Sequence, residues 1–138
     1  MNRRSLLLVA IAFVVQLALA SVGCQTKASL DGDVDHLLVA LTSSDYDHFK
    51  ADAHPALAKE VSKQEFEAMA RVIKKLGPLK SKKMTGIQVK AGSPSEGKYD
   101  LVFENGSCQL EIKSLSGKLV SFHFTGPDIQ RLVKSPGP

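Results

Sequence analysis

The sequence predicts an α+β domain in which N-terminal helices are followed by an antiparallel meander of four strands. The prediction rests on the spacing of apolar residues. They recur every three or four positions as far as residue 76, and from residue 87 onward they alternate with polar residues. The first period is typical of amphipathic helices and the second of half-buried strands.

Residues 1–23 have the three parts of a secretory signal. Arg3 and Arg4 form a positive start, an apolar run follows, and small residues precede a cut. Ser21-Val22-Gly23-Cys24 resembles the lipobox of bacterial lipoproteins, in which the cysteine is acylated and becomes the new N-terminus. The resemblance implies a lipoprotein signal peptide over residues 1–23, lipid attachment at Cys24 and a lipid-anchored protein of the bacterial cell envelope.

Two other interpretations of the N-terminus stay open. Ala18-Leu19-Ala20 is an A-x-A site that would release a soluble protein beginning at Ser21. An uncleaved anchor is the other, although the apolar run is short for a bilayer core of about 30 Å, and Gln16 lies inside it.

Composition limits the remaining partners. A chain of 138 residues leaves room for one domain after the signal. Of the 18 Lys and Arg, Arg3 and Arg4 belong to the signal, and the 16 that remain against 14 Asp and Glu make the domain only slightly basic, so no nucleic acid is expected. Acylation of Cys24 would leave Cys108 alone, and its apolar neighbours predict burial. A cluster of lysines is expected to be a solvated helix end or an anionic contact, such as one for lipid headgroups or cell-wall polymer: Lys74, Lys75, Lys80, Lys82 and Lys83.

The helical part begins after a short polar tether at residues 24–29 and has one strongly marked element. Ser62 and Glu65 form a capping box before an apolar stripe, and Gly77-Pro78 supplies the stop. The stripe consists of Phe66, Met69, Ala70, Ile73 and Leu76. Before it, the pattern predicts a first helix carrying Leu30 to Leu41 and a second one capped by Ser44.

Four alternating segments predict the strands. Asn105-Gly106 favours a type I′ hairpin that pairs Phe103 with Cys108 and Leu101 with Leu110. A three-residue loop over 115–117 then pairs Ile112 with Val120. This register sets Asp100 opposite Glu111 and Lys98 opposite Lys113, which are unfavourable like-charge pairs. The predicted inward residues are Ile87, Val89, Tyr99, Leu101, Phe103, Cys108, Leu110, Ile112, Val120, Phe122 and Phe124.

The segments 45–49, 61–66 and 76–79 resemble those of nuclear-transport-factor-two-like (cystatin-like) domains, and in particular an uncharacterised family found in bacterial lipoproteins or ahead of α/β-hydrolases. The resemblance covers residues 30–126 and leaves 127–138 as a flexible tail. It implies a curved sheet wrapped around the long helix, with a conical pocket between them. The residues predicted to line that pocket are Phe66, Met69, Ile73, Tyr99, Leu101, Phe103, Leu110, Phe122 and Phe124.

No catalytic residue, cofactor or metal site is predicted. The inward set contains no acid or histidine, and His36, His48 and His54 show no spacing typical of a metal site. We therefore expect a non-catalytic protein whose cone or sheet face binds a protein, a peptide or a small apolar ligand, or pairs with a second copy of the chain. The alternative is a small enzyme or hydrolase-accessory domain that would use Tyr99, Cys108 or His123.

Overall fold

The computed structural model describes residues 26–135, which contain helices before and after an antiparallel sheet. The predicted α+β class is confirmed. The N-terminal helices pack on the sheet, whose strands follow the order β1-β2-β3-β4. The elements are α1 (26–43), α2 (Tyr46–Asp52), α3 (Pro55–Glu60), α4 (Lys63–Lys75), β1 (Leu79–Gln88), β2 (Ser95–Phe103), β3 (Gly106–Leu115), β4 (Lys118–Thr125) and α5 (Pro127–Lys134).

One hydrophobic core joins the helices to the sheet. Its side chains come from α1, α2 and α4 on one side and from the inward positions of β2 and β3 on the other. The largest fully buried ones are Tyr99, Phe49, Phe66, Leu30, Leu41, Ile73, Leu76, Leu101, Leu110, Ile112 and Val34.

The capping box predicted for α4 is confirmed. The Glu65 backbone N–H donates to the Ser62 hydroxyl at 3.2 Å, and the Ser62 backbone N–H donates to the Glu65 carboxylate at 2.8 Å. The hydrogen bonds from the Ser62 side chain and backbone hold the pKa of Glu65 below its ordinary value. The helix stops at Gly77, which has a φ of +79° and donates to the Lys74 carbonyl at 3.0 Å, so the predicted stop is also confirmed.

Replacing Ser62 by alanine is expected to lower the free energy of unfolding by about 1 kcal/mol, because the first turn of α4 loses the acceptor for one of its free N–H groups. Ser93→Ala is the matched control, since Ser93 is exposed in the β1–β2 connection, and it is expected to change stability by less than about 0.5 kcal/mol. Urea unfolding measures both values. Equal losses in the two variants would contradict a role for the cap.

The register of the β2–β3 hairpin differs from the predicted one. Phe103 pairs with Gly106, and Leu101 pairs with Cys108 rather than with Leu110. The predicted pairing of Phe103 with Cys108 is therefore wrong by two positions, which leaves every side chain on its predicted face because the strand period is two.

The turn of this hairpin is docked on the end of α4, which explains the shift. The Asn105 backbone N–H donates to the Leu76 carbonyl at 2.8 Å, and the Glu104 N–H donates to the Pro78 carbonyl at 2.9 Å. Neither Glu104 nor Asn105 has a positive φ, whereas a type I′ turn requires one at both central residues. Contacts with the helix terminus therefore replace the local turn preference of Asn105-Gly106.

This register removes the like-charge pairs that the sequence predicted. Lys98 faces Glu111 and Glu96 faces Lys113, with nitrogen-to-oxygen distances of 2.9 and 2.8 Å, respectively. Asp100 lies opposite an uncharged residue. Each opposite-charge pair across two strands stabilises the sheet by roughly 0.2–1 kcal/mol, so these pairs favour the observed register over the predicted one.

The β3–β4 hairpin turns through two residues rather than three. Ser116 and Gly117 have φ values of 52° and 73°, as a type I′ turn requires. A bulge further along the hairpin then brings Phe122, and not Val120, opposite Ile112. The predicted pairing of Ile112 with Val120 is wrong because the bulge changes the phase of the strand, and Val120 is half-buried.

The edge strand β1 begins earlier than the alternation predicted and buries the other set of positions. Ile87 and Val89 were expected inside, but they are 44% and 51% exposed. The half-buried positions include Lys82 and Met84. The Lys82 ammonium reaches the Asp35 carboxylate of α1. Three of the lysines predicted to lie at a helix end are therefore strand residues: Lys80, Lys82 and Lys83.

Both ends of the domain are more helical than predicted. Residues 26–29, assigned to a polar tether, belong to α1. Pro127–Lys134, assigned to a flexible tail, form α5, with proline in the first turn where its missing N–H costs nothing. The signal peptide and Cys24 lie outside the described residues. Within 26–135, no helix combines the length and the apolar composition needed to cross a bilayer.

Candidate functional site: an apolar groove between α4, β4 and α5

A groove of about 710 Å³ lies between α4, β4 and α5. We call it the α4–α5 groove. Its apolar lining consists of Ala68, Met69, Val72, Ile73, Phe122, Phe124, Ile129, Leu132 and Val133. Its polar lining consists of Glu65, Arg71, Lys74, Lys75 and His123.

The apolar stripe of α4 is wider than the surface that the sheet covers. Phe66, Ala70 and Ile73 are fully buried in the core. Met69 and Val72, which lie beside them on the helix, are only half-buried and face the groove. One wall of the groove is therefore an extension of the core that remains in contact with solvent.

The opposite wall is α5, which is tied to the start of β3. The Asp128 carboxylate accepts the Ser107 backbone N–H at 2.9 Å. Gly106 permits this approach, because a Cβ there would lie 2.8 Å from Asp128 Oδ2 and 2.9 Å from a Leu76 methyl. The anchored helix directs Ile129 and Leu132 towards α4, while Val133 stays 62% exposed.

The floor of the groove is aromatic and continuous with the core. The Phe122 ring packs edge-on against Phe124 at 6.1 Å and against Phe49 at 5.8 Å. His123 is exposed, and its side chain lies at the groove margin. Rings held on two sides form a preorganised surface, so a ligand would find this floor already in place.

Basic side chains border the α4 side of the groove. Arg71, Lys74 and Lys75 are exposed there. The Lys74 ammonium donates to the Ser44 hydroxyl at 2.6 Å. None of the three cations has an ion-pair partner among residues 26–135. The margin therefore offers positive charge beside an apolar floor.

The structure divides the nine predicted pocket residues between two places. Met69, Phe122 and Phe124 line the groove, and Ile73 borders it although its own side chain is fully buried. Those that lie fully inside the core are Phe66, Tyr99, Leu101, Phe103 and Leu110. Helices α1 and α2 cover these residues: the Tyr99 hydroxyl donates to the Asp31 carboxylate of α1 at 2.9 Å, and Tyr46 and Phe49 of α2 pack on the Phe66 ring.

The sequence prediction missed the α5 side of the groove entirely. Ile129, Leu132 and Val133 follow the i, i+3, i+4 spacing of an apolar helix face. Pro127 stands at the helix start. These two signals together identify the wall, although the shortness and polarity of the segment favour a tail in the sequence prediction.

The residues considered for an enzyme do not share a solvent-accessible site. Tyr99 and Cys108 are 1% and 5% exposed, and His123 is exposed on β4. Burial, followed by the hydrogen bond to Asp31, holds the pKa of Tyr99 well above its ordinary value. Burial also raises the pKa of Cys108 to about 11, which keeps this free thiol protonated and unreactive at neutral pH.

Comparison with known proteins adds no family to this description. No family model matches the chain, and the comparison with curated proteins finds no match. The function is therefore argued from the geometry and charge of the groove.

Proposed function

We propose that the protein is a non-catalytic, lipid-anchored component of the cell envelope whose α4–α5 groove binds a small apolar ligand with an anionic end. The ligand chemistry that fits best is a long-chain acyl carboxylate. The observation that carries the proposal is an apolar groove of about 710 Å³ bordered by Arg71 and Lys75, two cations without an ion-pair partner in the part of the chain that the structure describes.

The size and lining of the groove support a small-molecule ligand. Ligand sites typically measure roughly 300–1,000 Å³ and combine an apolar lining with a few polar groups. Burying apolar surface contributes about 25 cal/mol per Å². Val133 is 62% exposed beside the half-buried Leu132 and Ile129, so an acyl chain in the groove would cover apolar surface that is otherwise hydrated.

The charged margin supports an anionic end on that ligand. Arg71 and Lys75 lie one turn apart on α4, on the side that borders the groove. Arginine binds carboxylates through two parallel hydrogen bonds, and lysine adds a point charge. A chain with a carboxylate at one end could thus place its tail on the aromatic floor and its head at this margin.

The sequence-based proposal of a lipid anchor fits this ligand class. The described part of α1 begins at residue 26, and two residues span at most about 7 Å. Acylation of Cys24 would therefore hold the domain against a bilayer, which is a source of acyl chains. The resemblance to nuclear-transport-factor-two-like domains also stays part of the proposal, supported by the helices-then-sheet order.

Native mass spectrometry of the full chain, purified from cells in mild detergent, tests the ligand. One acyl ligand per chain is expected. Val133→Asp should abolish its retention, because the carboxylate enters the apolar wall. Val39→Asp is the matched control, because Val39 also lies on a helix and is 53% exposed, but outside the groove. The Val39→Asp variant should retain the ligand.

The charge of the margin is tested in the same experiment. Arg71→Glu combined with Lys75→Glu is expected to remove the ligand, whereas Lys59→Glu combined with Lys90→Glu, outside the groove lining, should not. Four variants with equal ligand content, or a wild-type chain that carries none, would contradict the proposed function.

A further inference from the structure

Two histidines and an aspartate from α1 and α2 converge at a second place on the domain. Asp52 Oδ2 lies 3.3 Å from His36 Nδ1 and 3.1 Å from His48 Nε2. The two imidazole rings meet edge to face at 5.9 Å. One ligand atom from each residue lies within 4.8 Å of the other two.

The local fold explains why residues so far apart in sequence meet here. His48 and Asp52 are four residues apart on α2 and share one face. A tight turn brings this face against α1, because the Asp45 backbone N–H donates to the Ala40 carbonyl at 2.9 Å. Phe49, next to His48, stacks on Phe66 in the core at 5.1 Å, so α2 is held firmly.

Asp33 supplies an independent observation beside this cluster. Its Oδ2 atom is buried and has no hydrogen-bond partner among the described residues. The side chain lines a cavity of about 10 Å³ together with His36 and Asp52, roughly the room that one water-sized sphere occupies. Buried carboxylate oxygens are rarely left unpaired, because they lose their hydration without compensation.

We propose that His36, His48 and Asp52 bind a divalent transition-metal ion of the Zn²⁺ class, with the buried carboxylate oxygen of Asp33 beside them as an outer-shell group. Two imidazole nitrogens and one carboxylate oxygen are donors that suit Zn²⁺. Ligands at about 2.0–2.2 Å from the ion lie about 3.3–3.6 Å apart at the corners of a tetrahedron. Asp52 Oδ2 already lies 3.3 and 3.1 Å from one nitrogen of each imidazole, and one ligand atom from each residue lies within 4.8 Å of the others, so modest side-chain adjustments reach that spacing.

The close approach of His36 and His48 to Asp52 accounts for these three residues but not for the Asp33 oxygen. A cation held by the three residues would lie beside the cavity that Asp33 also lines, and its charge would stabilise that carboxylate. His36 is 60% exposed and His48 and Asp52 are each 38% exposed at the side chain, which gives an ion a path from solvent. The site is independent of the α4–α5 groove.

Titration of the full chain with Zn²⁺, followed by calorimetry, tests the site, and the visible absorption of Co²⁺ reports the coordination. One ion per chain is expected. Loss of an outer-shell partner typically weakens metal binding by about tenfold to hundredfold. His36→Ala and His48→Ala each remove a direct ligand, so each should weaken Zn²⁺ binding by more than that. Asp33→Asn, which keeps the shape but removes the charge, should weaken it by at least about tenfold.

His123→Ala is the matched control, because His123 is an exposed histidine on β4, and it should bind Zn²⁺ like the wild type. Circular dichroism checks that each variant folds. Folding is expected because substitutions at partly exposed side chains usually change stability little. The proposal is overturned if the wild type takes up no Zn²⁺, if His48→Ala binds as tightly as His123→Ala, or if Asp33→Asn leaves the affinity unchanged.

Discussion

Replacing Phe66 by alanine is expected to lower the free energy of unfolding by about 3 to 5 kcal/mol, enough to unfold a marginally stable domain. Phe66 is 0% exposed. Its ring lies 5.1 Å from Phe49 and 5.6 Å from Tyr46. Truncation removes these contacts and leaves a cavity that rigid neighbours on α2 cannot fill. Denaturant unfolding followed by circular dichroism measures the loss.

Phe122→Ala is the matched control for Phe66→Ala. Phe122 is only half-buried and borders the α4–α5 groove, so part of the space left by its ring is already open to solvent. A smaller loss than that of Phe66→Ala is therefore expected. Equal losses would mean that the groove floor belongs to the core as fully as Phe66 does.

Replacing Cys24 by alanine is expected to abolish acylation completely and to misplace the protein in the cell. The thiol is the attachment point that the lipobox resemblance implies, and alanine has no nucleophile there. A single acyl chain binds a membrane only marginally, whereas two or more anchor it stably. Intact mass and metabolic labelling with an alkyne fatty acid measure the acyl groups.

Cys108→Ala serves as the control for Cys24→Ala, because Cys108 is the buried free cysteine of β3. The Cys108→Ala variant should be acylated at Cys24 to the same extent as the wild type. A wild-type chain that begins at Ser21 and carries no added mass would refute the lipid anchor and support the soluble secreted form instead.

Features encoded by neighbouring residues could be predicted from the sequence. The capping box of Ser62 and Glu65 and the stop at Gly77 need only one or two turns of helix to form. The alternation in β2 and β3 likewise reports local burial, and Tyr99, Leu101 and Leu110 are inside as expected.

Features set by distant contacts could not be predicted in the same way. The register of β2 and β3 depends on the end of α4, whose carbonyls at Leu76 and Pro78 accept the N–H groups of the turn. The charges of the two strands could have indicated the correct register. The predicted register opposed like charges, whereas the observed one pairs Lys98 with Glu111. A register that sets like charges against each other conflicts with the rest of the pattern, and such a conflict favours a different pairing.

Only some residues of the α4–α5 groove could be predicted, because the groove also depends on contacts between elements that are distant in sequence. The stripe of α4 supplied Met69 and Ile73, but the sequence did not show that α1 covers β2 and that α5 forms the other wall. The convergence of His36 on His48 and Asp52 depends on how two helices pack, so only the i, i+4 pair on α2 was visible in the sequence.

The central claim is that an acyl chain occupies the α4–α5 groove, and the position of a photo-cross-link tests it most directly. Cells expressing the full chain are given a photoactivatable palmitate analogue, irradiated, and the adducts are mapped by peptide mass spectrometry. The account predicts adducts on α4 and α5, at residues such as Val72 and Val133. Adducts confined to other exposed apolar residues, such as Ile87 and Val89 of the β1 edge, would contradict it.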